Sequence, residues 1–200
     1  APAQVWNLQN NVRVGADLQV FGGTVNIARP AFYVGNDLII ADGTFNAPAA
    51  LQIVQSLSFT KGVVNAINSN INIGLDFAGN SSGSGNLRSL NITNSTINVV
   101  RDWSYYNLAG ITLQASGSTI KFGRLFRGLN GHAYHNMETT AFNVSNQTIE
   151  GNMTINELIL NHNRTITGSN TIGKLTMAPK AVTLVLANNT TQTITEDMEI

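Results

Sequence analysis

The chain has no cysteine among its 200 residues. That excludes a disulfide framework, although it does not place the protein in a reducing compartment. Charge is also scarce: 11% of residues are charged, against roughly 25% in an ordinary soluble domain. The 11 Lys and Arg balance the 11 Asp and Glu. Without a basic field, neither a nucleic-acid backbone nor an anionic membrane surface is an expected partner. No apolar run approaches a membrane span and no signal-peptide pattern stands at the start. The opening Ala1-Pro2 is expected of a processed chain or of a piece of a longer one. Helix signals are nearly missing too, since no segment of a dozen residues combines good helix formers with a three-to-four apolar spacing.

What is present is Asn, Thr, Ser and Gly, which supply the polarity that Lys and Glu usually would, and an echo. VGADLQVFGGTVNI (Val14 to Ile27) is followed by VGNDLIIADGTFNA (Val34 to Ala47), matching at Gly15/Gly35, Asp17/Asp37, Leu18/Leu38, Gly23/Gly43, Thr24/Thr44 and Asn26/Asn46. In the next copy, Leu57, Phe59, Gly62 and Asn65 align with Leu38, Ile40, Gly43 and Asn46. LRSLNITNSTINV, ITLQASGSTIKF, TIEGNMTINELIL and TITGSNTIGKLTM carry the pattern on, and QTITEDMEI begins another copy.

Within each copy apolar and polar residues alternate and β-branched residues dominate, which is a strand pattern. Gly22-Gly23, Asp42-Gly43, Lys61-Gly62 and Ser116-Gly117 are turn signals expected at corresponding places. Short strands returning every twenty or so residues predict an all-β parallel β-helix, a β-solenoid in one domain spanning 1–200, with loop insertions and a right-handed coil. Leu18, Leu38 and Leu57 should form one interior column and Val25, Phe45 and Val64 another, with Asn26, Asn46 and Asn65 stacked at a corner. The competing β-sandwich does not require the same residues at equivalent positions in consecutive units. The Gly/Ser-tipped stretch 74–85 is expected to bulge out of the coil.

Candidate chemistry is thin. Arg101-Asp102-Trp103-Ser104-Tyr105-Tyr106 gathers rings that can stack on sugars and charges that can bond hydroxyls, so Trp103, Tyr105 and Tyr106, with Arg124 and Arg127 nearby, are the candidate glycan contacts. The alternative is that the rings cover the apolar stack. Lys121, Arg124 and Arg127 form the basic cluster a polysaccharide lyase would need, but Asp17, Asp37, Asp42, Asp76 and Asp102 look too scattered for one Ca²⁺ cradle. His132 and His135 should face opposite ways on a strand and lack a third ligand, so no metal is expected, nor any cofactor or catalytic residue. Asn80, Asn91, Asn94, Asn143, Asn146, Asn152, Asn163, Asn188 and Asn189 begin N-x-S/T triplets, most of which reflect composition. The pairs Thr165-x-Thr167 and Thr193-x-Thr195 are too short for a regular threonine array.

GSTIKFGRLFRGLNGHAYHNMETTAF (Gly117 to Phe142) and LANNTTQTITEDMEI (Leu186 to Ile200) resemble the repetitive β-helical regions of large Bacteroidetes surface adhesins, including gliding-motility proteins exported by the type IX secretion system. The resemblance implies a non-enzymatic extracellular adhesin or its shaft. Its partners would be the secretion machinery, other cell-surface proteins, and glycans or abiotic surfaces. A polysaccharide lyase, hydrolase or tailspike-like glycan binder is the alternative, since β-helices host these as well.

Overall fold

The structure, a computed structural model, describes residues 4–9, 12–80, 88–106, 111–141, 147–178 and 182–200, with the backbone alone at Asn80, Tyr105 and Tyr106. Among the described residues there are 22 strands and no helix. The strands pair in parallel into a 13-stranded and a 9-stranded sheet. Successive partners lie roughly 20 residues apart, and the chain completes about 9 turns of a β-solenoid. Parallel pairing is incompatible with the sandwich, whose sheets are built from antiparallel strands.

Each turn has three flanks, and a bend inside a strand makes the first corner. The front of strand Leu38–Asn46 pairs with Leu57–Phe59 and its back with Gly62–Asn65. The bend falls at Gly43, where φ is +86° and an added Cβ would lie 2.5 Å from the carbonyl oxygen of Gly23 one rung away. Only glycine meets both conditions cheaply. Ser116-Gly117 does not belong to this corner, contrary to the sequence expectation. It stacks at the next one, after Asn68 and Asn94, and the three carry φ values of +54° (Asn68), +53° (Asn94) and +66° (Gly117). Asn tolerates the left-handed region better than other side-chain-bearing residues, which is why this corner has no glycine signature in its earlier turns.

Inside, the expected columns form and run on. Leu18, Leu38 and Leu57 continue in register through Phe77, Trp103, Phe126, Ile149 and Ile166 to Leu186. Val25, Phe45 and Val64 continue through Leu90 to Leu113. The second sheet contributes Phe32, Leu51, Ile71, Ile97 and Ile120, then Met137, Leu158, Leu175 and Met198. The buried side chains form one core cluster. At about 1.5–3 kcal/mol for each fully buried Leu, Ile or Phe, this burial opposes the cost of ordering the chain.

The expectation that 74–85 bulges out of the coil fails for the described part of that stretch. Phe77–Asn80 is a regular strand, because Phe77 fills the interior column above Leu57. The Ser/Gly tip, residues 81–87, lies outside the described residues.

Candidate binding surface

The position just before the long interior column is held, rung by rung, by Asp17, Asp37, Ser56, Asp76 and Asp102. Each side chain accepts a hydrogen bond from the backbone N–H one rung on. The Asp37 N–H lies 3.2 Å from Asp17 Oδ1, that of Ser56 lies 2.8 Å from Asp37 Oδ1, and that of Asp76 lies 3.4 Å from Ser56 Oγ. The N–H groups of Asp102 and Leu125 continue the series at 3.2 Å from Asp76 Oδ1 and Asp102 Oδ1. Four of the five aspartates thus share one column, spread along the axis over successive rungs and not gathered into one cradle. Asp42 alone stands apart, 2.9 Å from Lys61. What this column does is local: it satisfies N–H groups at the corner where each first-sheet strand begins.

From Asp76 onward the column meets arginines. Arg101 grips Asp76 through Nε at 2.8 Å and through Nη2, and Arg124 grips Asp102 through Nε at 2.7 Å and through Nη2. These side-chain hydrogen bonds push both guanidinium groups above their ordinary pKa. Arg127 Nε donates to Glu150 at 2.6 Å, and Lys121 lies 2.7 Å from Glu138. The basic cluster read from the sequence is real in space, but a carboxylate already holds each of its members. Arg124 and Arg127 thus reach any ligand only through the edges that these pairs leave open.

Trp103 is not a surface contact. It is fully buried, stacked between Phe77 and Phe126, which corrects its candidacy as a glycan platform. The alternating pattern that puts Trp103 inward also pairs it with Phe77 and Phe126 in the ladder. Tyr105 and Tyr106 follow on the same strand, and their side chains lie outside the described residues. His132 sits before strand Ala133–Thr139, whereas His135 lies within it beside Asn136, between the inward Tyr134 and Met137. A bend, and not simple alternation, separates the two histidines. Among the described residues no group of three metal-ligating side chains occurs. Asn143 and Asn146 lie outside the described residues.

Sequence reasoning missed two buried cations, Arg88 and Arg164. Arg164 is 1% exposed and lies over the Phe122 ring. It donates to the carbonyl oxygens of Gly123 at 2.7 Å, Asn163 at 2.9 Å and Thr140 at 3.2 Å. Burial pulls its pKa down to about 10. An arginine with no acidic neighbour in sequence gives no signal of this role, which is to tie together three corner carbonyls.

One outer flank, built from 24–26, 44–46, 63–65, 89–91 and 112–114, is uncharged. Asn46 Nδ2 donates to Asn26 Oδ1 at 2.6 Å, and Asn65 Nδ2 to Asn46 Oδ1 at 2.8 Å, with Asn7 extending the ladder below Asn26 at 2.8 Å. Two residues earlier on the same strands, Thr24, Thr44, Val63, Ser89 and Thr112 stand in register. Amides thus repeat along the axis at the rung spacing of about 4.8 Å, and hydroxyls do so except at the Val63 rung. Two grooves open at the N-terminal end. One of about 660 Å³ is lined by Trp6, Leu8, Leu18 and Phe21 among others, and one of about 370 Å³ by Val12, Arg13, Arg29, Phe32 and Tyr33.

No protein-family model matches this chain, and neither the curated proteins nor the solved structures contain a match.

Proposed function

We propose that the protein is a non-enzymatic extracellular adhesin or the shaft of one, carried to the cell surface as a type IX secretion cargo and serving attachment or gliding. The observation that supports this reading is the neutral lateral array, above all the Asn7–Asn26–Asn46–Asn65 ladder beside the Thr24/Thr44 column. Repeated uncharged donors and acceptors on a rigid spiral suit weak contacts that add up over many rungs. Glycans and abiotic surfaces are the partners such a face would take. The consumption of Arg101, Arg124 and Arg127 by carboxylates also leaves little free cationic character for stabilising a uronate carbanion.

One observation favours the glycan-active alternative: the rungs do bring Asp76, Arg101, Asp102 and Arg124 together at one corner. A glycan array and particle-adhesion assay run beside a lyase and hydrolase assay separates the two readings. Adhesion without turnover, unchanged by Arg124→Ala, is the expected result. Specific cleavage of an acidic polysaccharide that Arg124→Ala abolishes would overturn it.

A further inference from the structure

The corner that opens each first-sheet strand changes character part-way along the spiral. One residue before the aspartate column stand Ala16, Asn36, Gln55 and Leu75, and then Arg101 and Arg124, joined rung to rung by backbone hydrogen bonds. The Arg101 N–H lies 2.9 Å from the Leu75 carbonyl oxygen, and the Arg124 N–H lies 2.8 Å from that of Arg101. The two arginines are therefore in register on consecutive rungs, about 4.8 Å apart. Each guanidinium uses Nε–H and an Nη2–H on a carboxylate, Arg101 on Asp76 and Arg124 on Asp102. That side-on grip leaves the outer Nη1/Nη2 fork, which matches a planar carboxylate. Among the described residues neither Nη1 has a hydrogen-bond partner.

The pairs are neutral but present unlike ends to water. Arg101 is 37% exposed against 21% for Asp76, and Arg124 is 38% exposed against 11% for Asp102. The carboxylates are held inward because each also accepts a backbone N–H from the next rung, so the cationic ends face outward. The ion pairs fix both arginine side chains before any ligand arrives, which lowers the ordering cost of binding. Adjacent like charges oppose one another: the Asp102 hydrogen bond raises the Arg124 pKa, while the Arg101 charge works against it. An anion set between the two forks accepts from both and relieves that opposition. Val100 precedes Arg101 and Leu75 stands one rung before it; at 50% and 36% exposed they form an apolar shoulder.

We propose that Arg101 and Arg124 form a non-catalytic site for an acidic polysaccharide, with one uronate carboxylate lying between their outer forks. The sugar class follows from the neighbours. Asp76 and Asp102 place acceptors directly beside the donor forks, which suits a carboxylate flanked by hydroxyl donors. The C–H face of such a ring covers Val100 and Leu75. A glutamate of an acidic peptide brings the carboxylate alone and leaves those acceptors without a donor. The polymer is held and not cleaved, because the paired carboxylates offset the charge that a uronate carbanion would need. This corner is separate from the Asn/Thr flank and goes beyond the adhesive reading, so either can fail while the other stands.

Biolayer interferometry on the full chain, with polygalacturonate, its carboxyl-reduced polymer and polyglutamate immobilised in turn, tests it. The wild type should bind polygalacturonate about tenfold or more tighter than either of the others, and salt should weaken that binding. Arg101→Lys and Arg124→Lys keep the charge but lose the fork. Each should weaken polygalacturonate binding about tenfold, while adhesion through the neutral flank stays as in the wild type. Unchanged urea midpoints establish that both variants fold. Polygalacturonate bound no better than its reduced form or than polyglutamate, lysine variants that bind as the wild type does, or cleavage of the polymer by the wild type would each overturn the proposal.

Discussion

Phe77 and Trp103 stack with ring centroids 4.1 Å apart and planes 8° apart, although 26 residues separate them in the chain. The ladder dictates the stack: Trp103 is the rung partner of Phe77, and Phe126 follows at 5.6 Å. Three successive aromatics thereby fill this stretch of the interior column. Trp103→Ala leaves a cavity with aromatic walls above and below, at a predicted cost of about 3–5 kcal/mol. Urea unfolding should record that loss, while Trp103→Phe should cost much less. If Trp103→Ala left stability intact but removed glycan binding, its assignment to the core would be wrong.

The asparagine ladder gives a second prediction. Asn46 both donates to Asn26 and accepts from Asn65, at 2.6 and 2.8 Å, so Asn46→Ala breaks two side-chain bonds and leaves both neighbours with an unpaired group. A net hydrogen bond contributes about 1 kcal/mol, so a loss of about 1–2 kcal/mol is expected. Asn7→Ala, at the exposed end of the ladder, breaks one bond and should cost less. Equal losses at Asn7 and Asn46 would mean that the amides act individually and not as a connected row.

These two relationships mark where the sequence was legible. Leu18, Leu38 and Leu57 could be aligned by eye because 20 and 19 residues separate them and one residue type recurs. Trp103 could not, since residues between Asn80 and Arg88 lengthen its turn and the column switches from leucine to rings. The aspartate column was hidden by the same lengthening and by Ser56, which does the work of a carboxylate in one rung. At this corner sequence identity matters less than the ability to accept one N–H. Arg164 was hidden for a different reason: its partners are backbone carbonyls, which leave no trace in side-chain patterns.

Backbone geometry makes the third prediction. Gly43→Ala meets both a φ of +86° and the Gly23 carbonyl, whereas Gly22 has nothing within 4 Å of an added Cβ and no positive φ. The first substitution should destabilise by about 1–3 kcal/mol, and the second should be near neutral. Thermal unfolding of the two variants side by side checks this. Equivalent melting would show that the corner does not depend on glycine.

The fourth prediction is a pH dependence, and its sign follows from the Asp42–Lys61 pair. The Lys61 hydrogen bond, helped by the Gly43 N–H, holds the Asp42 carboxyl below its ordinary 3.8. A carboxylate depressed in the folded state contributes stability that is present above the unfolded value and lost as pH falls through the folded one. Both side chains are nearly half exposed, at 44% and 45%, so the solvent-screened contribution is at most a few tenths of a kcal/mol. Its titration is the more sensitive readout. In Lys61→Met the Asp42 carboxyl, followed by NMR, should titrate closer to 3.8 while keeping a residual depression from the Gly43 N–H. The variant should also lose less stability than the wild type between neutral pH and pH values below the Asp42 titration. An Asp42 titration unmoved by Lys61→Met would assign the depression to the backbone alone and remove the ion pair from the corner's energetics.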